Sequence, residues 1–269
     1  DNKTNNLFLA RDRFGIKPLI YYQNRKGFIF SSEIKVIESL VGSELEIDHT
    51  SVMDYFSFGS IRQPHTIYKD VYFLLPGHYA IIDSDKNKKL KKYYDLNKKI
   101  KNTSCQIDYA EAVEKSRSLL EEATKYHLIS DVEVGAFLSG GLDSNAVVSL
   151  MSKYSKSRLN TFTLGFDNNM GTSDETLNAN ESANYIGTNH HNIIINDEMI
   201  KKNSDSYIEK IDQPSFDGLN TFLISKYASR YCKVILSGLG GDEIFSGYRF
   251  YGEIIKIQEK RMLISGKLR

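Results

Sequence analysis

The sequence predicts an α/β protein: a parallel, doubly wound sheet in its second part, preceded by a partial, β-rich antiparallel domain. Three observations carry this. Beyond Tyr109, short runs that are apolar throughout alternate with stretches of helical spacing, the pattern of strands covered on both faces by crossover helices. Before residue 100, apolar runs rich in Ile, Tyr and Phe are punctuated by Asn, Gly and Pro turns, as antiparallel strands are. Between the two lies "SDKNKKLKKYYDLNKKIKNTSCQ", a Lys- and Asn-rich stretch that divides the chain into domains 1–100 and 101–269. A length of 269 residues agrees with two such domains.

In chain order, "NLFLAR" reads as a strand, and Asn24 to Gly27 as the turn of a hairpin. Pro76-Gly77 turns the chain before a further strand, "HYAIID". The lysine-rich stretch reads as a solvated hairpin tip and linker, since Tyr93 and Tyr94 are its only aromatics. "DYAEAVEKSRSLLEEATKYHL" places Ala, Val and Leu at helical spacing behind Asp108 as N-cap. Then follow strand "VEVGAFL", helix "NAVVSLMSKYS", strand "LNTFTLGF", helix "ETLNANESANYIG", strand "HHNIIIN", a long helix to about Tyr231, and strand "KVILS". No internal repeat is present.

Bulk properties exclude several functions. With 41% hydrophobic and 26% charged residues and a formal net charge of +1, the chain has an ordinary soluble composition, and no nucleic-acid partner held by bulk electrostatics is expected. Its apolar runs are too short to span a bilayer and its polar start has no signal-peptide architecture, so a cytoplasmic protein with no membrane partner is expected. Cys105 and Cys232 form neither a CxxC pair nor a disulfide framework, and both read as unpaired thiols.

In an open parallel sheet, ligands bind beyond the carboxyl ends of the strands. The turn after "VEVGAFL" is "SGGLDS". Gly140 and Gly141 let backbone N–H groups approach an anion, the helix that follows points its positive end the same way, and Ser139 and Ser144 add hydroxyls. Asp143 would repel phosphate oxygens unless a cation lay between, which points to Mg²⁺, an ion bound by one or two carboxylates plus phosphates. The lysine of GxxxxGK[ST] is absent, so this is not the usual mononucleotide loop. Alone, the turn leaves open the lesser alternative of a strand-to-helix corner with Asp143 as a helix N-terminal carboxylate. A second glycine turn, "LSGLGGDE", follows the last strand. Two such turns could hold one Mg²⁺ between Asp143 and Asp242 and one triphosphate between their N–H groups.

With both turns in view, "FLSGGLDS" resembles the pyrophosphate-loop signature of ATP pyrophosphatases, and "LSGLGGDEIFSGY" the second signature of the asparagine synthetase branch. "RDRFGIKPLIYY", "FIFSSEIKVI" and "LLPGHYAI" resemble the closing part of that branch's class II glutamine amidotransferase domain. The resemblance covers the whole chain in the family's own order. It implies an adenine nucleotide α-hydrolase-like domain that adenylates the side-chain carboxylate of aspartate with ATP and Mg²⁺; ammonia from glutamine then displaces AMP to give asparagine. By matched position, Ser139, Gly140, Gly141, Asp143 and Ser144 would hold pyrophosphate, and Asp143 and Asp242 would bind Mg²⁺ and carry the chemistry. Phe137 and Leu164 match adenosine contacts, Ser237 and Gly238 further nucleotide contacts, and Leu138 is grouped with these. A homodimer is allowed.

Three departures from the family qualify this. The glutaminase nucleophile, a cysteine at the mature N-terminus, and the family's helical C-terminal portion are both absent, so the chain reads as an internal stretch with unpaired antiparallel edges. Leu239 stands where asparagine synthetases proper carry an acidic residue, one implicated in forming and using the aspartyl adenylate. That leaves the acceptor acid open: Asp212 or Asp217 in "IDQPSFDG" could supply a carboxylate, or could simply belong to a turn around Pro214 and Gly218. A relative amidating another carboxylate, such as a sugar acid, or closing a ring, is therefore the alternative enzyme, and a non-catalytic nucleotide-binding module the alternative outside enzymes. His190 and His191 are adjacent on a strand and so point to opposite faces, which reads as structural rather than metal-binding.

Overall fold

The computed structural model describes residues 1, 3–25, 27–102, 106–167 and 175–267. Cys105 lies outside them. The chain forms two compact units, one of Asp1–Gln106 with Asp205–Leu219 and one of Ile107–Ser204 with Asn220–Arg269.

The first unit runs β1 (Leu7–Ala10), β2 (Ile20–Gln23), β3 (Phe28–Ser31), α1 (Ile34–Val41), α2 (His49–Phe58), β4 (Val71–Phe73), β5 (His78–Ile82), β6 (Lys88–Lys92) and α3 (Leu96–Asn102). Two antiparallel sheets result, in the orders β1-β5-β6 and β3-β2-β4. The Asn24 hairpin forms as expected, with the Asn24 side-chain oxygen accepting the Gly27 N–H at 3.0 Å. Strand β2 shows how the period of two builds layers. Tyr21 packs with Leu9, Ala80 and Ile82 of the other sheet, whereas Ile20 and Tyr22 pack with Ile34 and Ile37 of α1. Helices α1 and α2 are additions to the expected antiparallel pattern; at eight and ten residues they are too short for their period to stand out from the neighbouring apolar runs. The lysine-rich stretch does make a hairpin tip, yet its lysines also form β6 paired along β5, and α3 follows.

The second unit holds α4 (Tyr109–His127), β7 (Val134–Phe137), α5 (Leu142–Tyr154), β8 (Asn160–Phe166), α6 (Thr176–Ile186), β9 (Asn189–Ile195), β10 (Val234–Leu236), α9 (Gly241–Phe245) and α10 (Arg249–Lys267). Between β9 and β10 come α7 (Asp197–Lys210) and α8 (Gly218–Ala228), in place of the single long helix expected to about Tyr231. Pro214 accounts for the break: it lacks an N–H and its ring clashes with the preceding helical turn. Asp108 caps α4, its carboxylate accepting the Glu111 N–H at 2.8 Å.

All four strands of the second sheet are parallel, in the order β10-β7-β8-β9. Both faces are covered, which explains why these strands read as continuously apolar. On one face Ala136 and Leu138 meet Val148 and Met151 of α5 and Ala179 and Ala183 of α6. On the other, Phe162 and Ile193 meet Ala228 and Cys232 at the end of α8. Side chains as fully buried as Phe162, Met151 and Leu138 each contribute about 1.5–3 kcal/mol. Cys232 is an unpaired, buried thiol, and burial raises its pKa. Among the described residues, no helix is long and apolar enough to cross a membrane.

Candidate functional site

The strand order locates the site. From β7 the chain steps to β8 and β9 on one side, then returns to lay β10 on the other. The point where that order reverses lies between β7 and β10, and a crevice opens there beyond the carboxyl ends of the strands. The two loops at those ends are 138–141 and 237–240, the glycine turns singled out above.

The first loop is held by its own polar groups. The buried Ser144 hydroxyl donates to the Gly141 carbonyl at 3.1 Å and accepts the Ser139 N–H at 3.2 Å, while the two serine hydroxyls lie 3.0 Å apart. Ser144 is thus engaged within the turn, whereas Ser139 stands exposed. Thr163 of β8 donates its hydroxyl to the Leu138 carbonyl, fastening the end of β7. Gly141 has no side chain with which to cap α5, so the first turn of that helix directs its N–H groups and dipole toward the crevice. Gly140 also meets a packing demand that its local sequence does not reveal. It has φ +78°, and a Cβ there would meet Asn178 Cβ at 2.7 Å and the Ala179 nitrogen at 2.9 Å, so its bareness lets the loop press against α6.

The second loop abuts the first turn of α5, directly beyond the first loop, backbone to backbone. A Cβ on Gly238 would lie 2.7 Å from the Ser144 nitrogen and 2.9 Å from the Asp143 carbonyl carbon, and a Cβ on Gly241 would collide with the Asp143 carboxylate. Similarly, Asp242 sits against the bare backbone of Gly247. The Ser237 hydroxyl accepts the Leu239 N–H at 3.0 Å, which tightens the turn. Between the loops lies a cavity of 620 Å³. Phe137, Ser139, Gly141, Asp143, Ser144, Ser237, Gly238 and Asp242 all line it. Leu138, Gly140 and Leu164 do not; Leu138 is buried in the core beneath.

Sequence reasoning passed over three neighbours. Asn145 donates to the Gly140 carbonyl at 3.0 Å, Tyr248 lines the cavity and donates to Glu243 at 2.8 Å, and Phe245 forms part of the wall. Tyr248 and Phe245 lie within the second glycine signature, but nothing in their spacing marks them apart from helix packing.

The donor set suits an anion with a hard cation. Three carboxylates, Asp143, Asp242 and Glu243, line the cavity with hydroxyls and backbone N–H groups; Glu243 accepts from Tyr248, and among the described residues no Lys, Arg or His lines it. Phosphates placed here would need a counter-charge from outside, and Asp143 and Asp242 offer the one or two carboxylates that Mg²⁺ takes alongside phosphate oxygens. Among the described residues, the crevice included, no group of three or more His, Cys, Asp or Glu is placed to hold a metal by itself, so a cation here would draw its remaining ligands from phosphate oxygens and water. His190 is hydrogen-bonded to Thr161 at 2.9 Å and Asn192 at 3.1 Å, and His191 stacks on Phe162 with ring centroids 5.0 Å apart. A larger groove of 970 Å³ runs between α4 and α5, but it is mainly apolar, and its Glu121 and Lys153 pair with each other at 2.8 Å. Asp212 is engaged in the first unit, where its carboxylate accepts the Ile34 N–H at 2.6 Å.

Comparison with known proteins agrees with this picture. Residues 115–265 match the family model for asparagine synthase, and residues 1–94 that for a glutamine amidotransferase domain. A Methanocaldococcus jannaschii protein, provisionally named a glutamine-hydrolysing asparagine synthetase, is 37% identical over 92% of this chain and 48% of its own. Asparagine synthetase [glutamine-hydrolyzing] 1 of Bacillus subtilis is 32% identical over 97% of this chain and 40% of its own. Amidase chyE of Penicillium rubens is 29% identical over 90% of this chain and 38% of its own. The chain thus spans less than half the length of these relatives.

Proposed function

The chain belongs to the asparagine synthase family, and from that premise we propose that the crevice between β7 and β10 binds ATP for an amide-forming ligation. The observation that carries the proposal is the apposition of the two strand-end loops: Asp143 lies against Gly241 while Asp242, the next residue, lines the same cavity. Little but a shared ligand accounts for two carboxylates brought together with backbone donors at a topological switch point.

In this reading residues 1–100 are the closing part of a glutamine amidotransferase domain and 101–269 the opening part of the ATP-binding domain, as the two matched families suggest. Phe137 lies against the adenosine, and the backbone from Ser139 to Ser144 receives the β- and γ-phosphates. Leu138 and Leu164 support these contacts from behind, and Ser237 and Gly238 close the other side. Asp143 and Asp242 would hold Mg²⁺, which when bound neutralises charge on the departing pyrophosphate. The N–H groups of the first loop are fixed before the reaction begins, so they stabilise developing charge without reorganising. The acceptor carboxylate attacks the α-phosphorus, pyrophosphate leaves, and ammonia displaces AMP from the acyl-adenylate. Such a reaction fits the cytoplasm.

Aspartate is the acceptor that the named relatives suggest. Leu239 favours a second reading, in which another carboxylic acid is amidated. It is 88% exposed at the cavity wall, where it offers neither charge nor hydrogen bond to an α-amino acid. The relative called an amidase, rather than an asparagine synthetase, fits such divergence.

In the full-length protein, Asp143→Ala is expected to lower ATP/pyrophosphate exchange by at least about 10²-fold, the scale of losing a preorganised charge-stabilising contact. Near-normal exchange in that variant would refute the site. Exchange by the unmutated protein with aspartate supports the first acceptor, and exchange only with other acids the second.

A further inference from the structure

Helix α1 covers the β3-β2-β4 sheet through Ile34 and Ile37, both fully buried, yet its own sequence leaves its N-terminus uncapped. Glu33, at the cap position, makes no side-chain hydrogen bond to the helix, and the first turn contains no acid. The missing acceptor comes from 178 residues away: Asp212 takes the Ile34 N–H at 2.6 Å. Burial raises the Asp212 carboxyl above its ordinary range, the N–H groups of Ile34 and Lys35 pull it back, and Glu33 and Glu38 add repulsion. Burying a carboxylate costs free energy that only hydrogen bonds or charge partners offset, and here the N–H groups at the start of α1 supply them.

The same segment makes further anchors in the first unit. Ser215 bridges to Ser60, the Phe216 N–H donates to the Gly59 carbonyl at 3.3 Å, and the Phe216 ring meets Tyr55 of α2 edge-on at 5.0 Å. One loop thus holds the start of α1 and the end of α2. In sequence, however, that loop interrupts the second unit. The chain leaves that unit after Ser204 and returns at Asn220, within α8. Ile224 and Ala228 of α8 pack with Phe162 of β8, and so do Phe137 of β7 and Ile235 of β10, the strands whose ends carry the phosphate loops.

We infer that Asp205–Leu219 is a strap coupling glutamine hydrolysis to amide formation, with Asp212 as its positioning residue, anchored to α1. This rests on the amide-forming reading above. Asp212 touches no reacting atom in this scheme. It acts through α1, and its loss should disturb delivery of nitrogen rather than the use of ATP.

The test uses the full-length protein with ATP, Mg²⁺, aspartate as acceptor probe, and either glutamine or ammonium as nitrogen source; glutamate and pyrophosphate are both measured. Asp212→Ala is expected to lower glutamine-supported pyrophosphate release by about 10-fold, a typical coupling free energy. Ammonium-supported release should stay near the unmutated value, and the glutamate formed per pyrophosphate should rise. Asp212→Asn, which keeps one acceptor oxygen, should fall between, and Phe216→Ala should repeat the pattern from the other anchor. A purely structural role would lower both nitrogen-supported rates by the same factor, and that outcome, or no change in either, overturns the inference while leaving the ligase reading intact. Where aspartate supports no pyrophosphate release, the acid that supports exchange takes its place as acceptor probe; should the unmutated protein release pyrophosphate with neither nitrogen source for any acid offered, the ligase reading itself fails and the coupling with it.

Discussion

At the scale of single residues, the site depends as much on side chains that are missing as on those present. Gly238 and Gly241 let two loops meet so closely that any Cβ would strike the Asp143 segment. Because the atoms in the way at Gly238 are backbone, they cannot swing aside. Gly238→Ala is therefore expected to cost about 1–3 kcal/mol of stability and to weaken nucleotide binding, whereas Gly252→Ala, with open space around it, should do neither. Urea unfolding and nucleotide titration of the two variants would check this, and equal behaviour would remove the close-approach argument. Asp143 and Asp242 were legible from sequence because a carboxylate inside a glycine turn is chemically odd. The role of Gly140 was not legible, since the pressure on it comes from Asn178, on a helix whose position the local sequence does not reveal.

At the scale of elements, β8 and β9 show how a few polar residues near the starts of otherwise apolar strands are fitted into a core. Thr161, fully buried, bonds to Thr188 at 2.7 Å and to His190 at 2.9 Å, so their polar groups are satisfied across the pair. Burial holds the His190 imidazole below its ordinary 6.5, with neighbouring His191 pushing the same way and Asn192 opposing. The sign follows: the unfolded chain takes up a proton more readily than the folded one. The stability linked to neutral His190 is whole above about 6.5 and is lost as pH falls through that value toward the lower folded pKa. Unfolding free energy should therefore decline between pH 7 and 5, and His190→Asn, which can still bond to Thr161, should flatten part of that slope. Urea melts at the two pH values test it; an unchanged slope would mean that the imidazole is not the group responsible. The helices of the second unit were readable from period and capping, as Asp108 shows for α4. The break between α7 and α8 was not, because apolar residues continue at helical spacing on both sides of Pro214 and only that residue marks the interruption.

At the scale of the whole chain, two units have separate cores, one built on Ile20, Ile34 and Val71 and the other on Val148, Met151 and Phe162. A ligand that binds one of them should stabilise that one by mass action, about 2.7 kcal/mol at a hundred times its Kd. ATP with Mg²⁺ is thus expected to raise the melting temperature of the step carried by residues 107–204 and 220–269. ATP with EDTA should raise it much less, because three carboxylates and, among the described residues, no basic side chain line the cavity. Calorimetry distinguishes the cases; an equal shift with and without Mg²⁺ would show that phosphates bind there without a cation.

Taken alone, the sequence determined the class of fold, the succession of strands in the second unit with the helices up to β9, and the two glycine turns with their aspartates. Those are local properties: the periodicity of burial, the geometry of turns, and carboxylates where a phosphate would otherwise be repelled. Tertiary structure decided that the two turns lie back to back, that Gly140 serves α6, and that Asp212 belongs to α1 rather than to a local turn. These depend on which distant segments meet. Strand order sets that for the two turns, and for Asp212 it is set by an uncapped helix whose acceptor lies 178 residues away, beyond the reach of any local pattern.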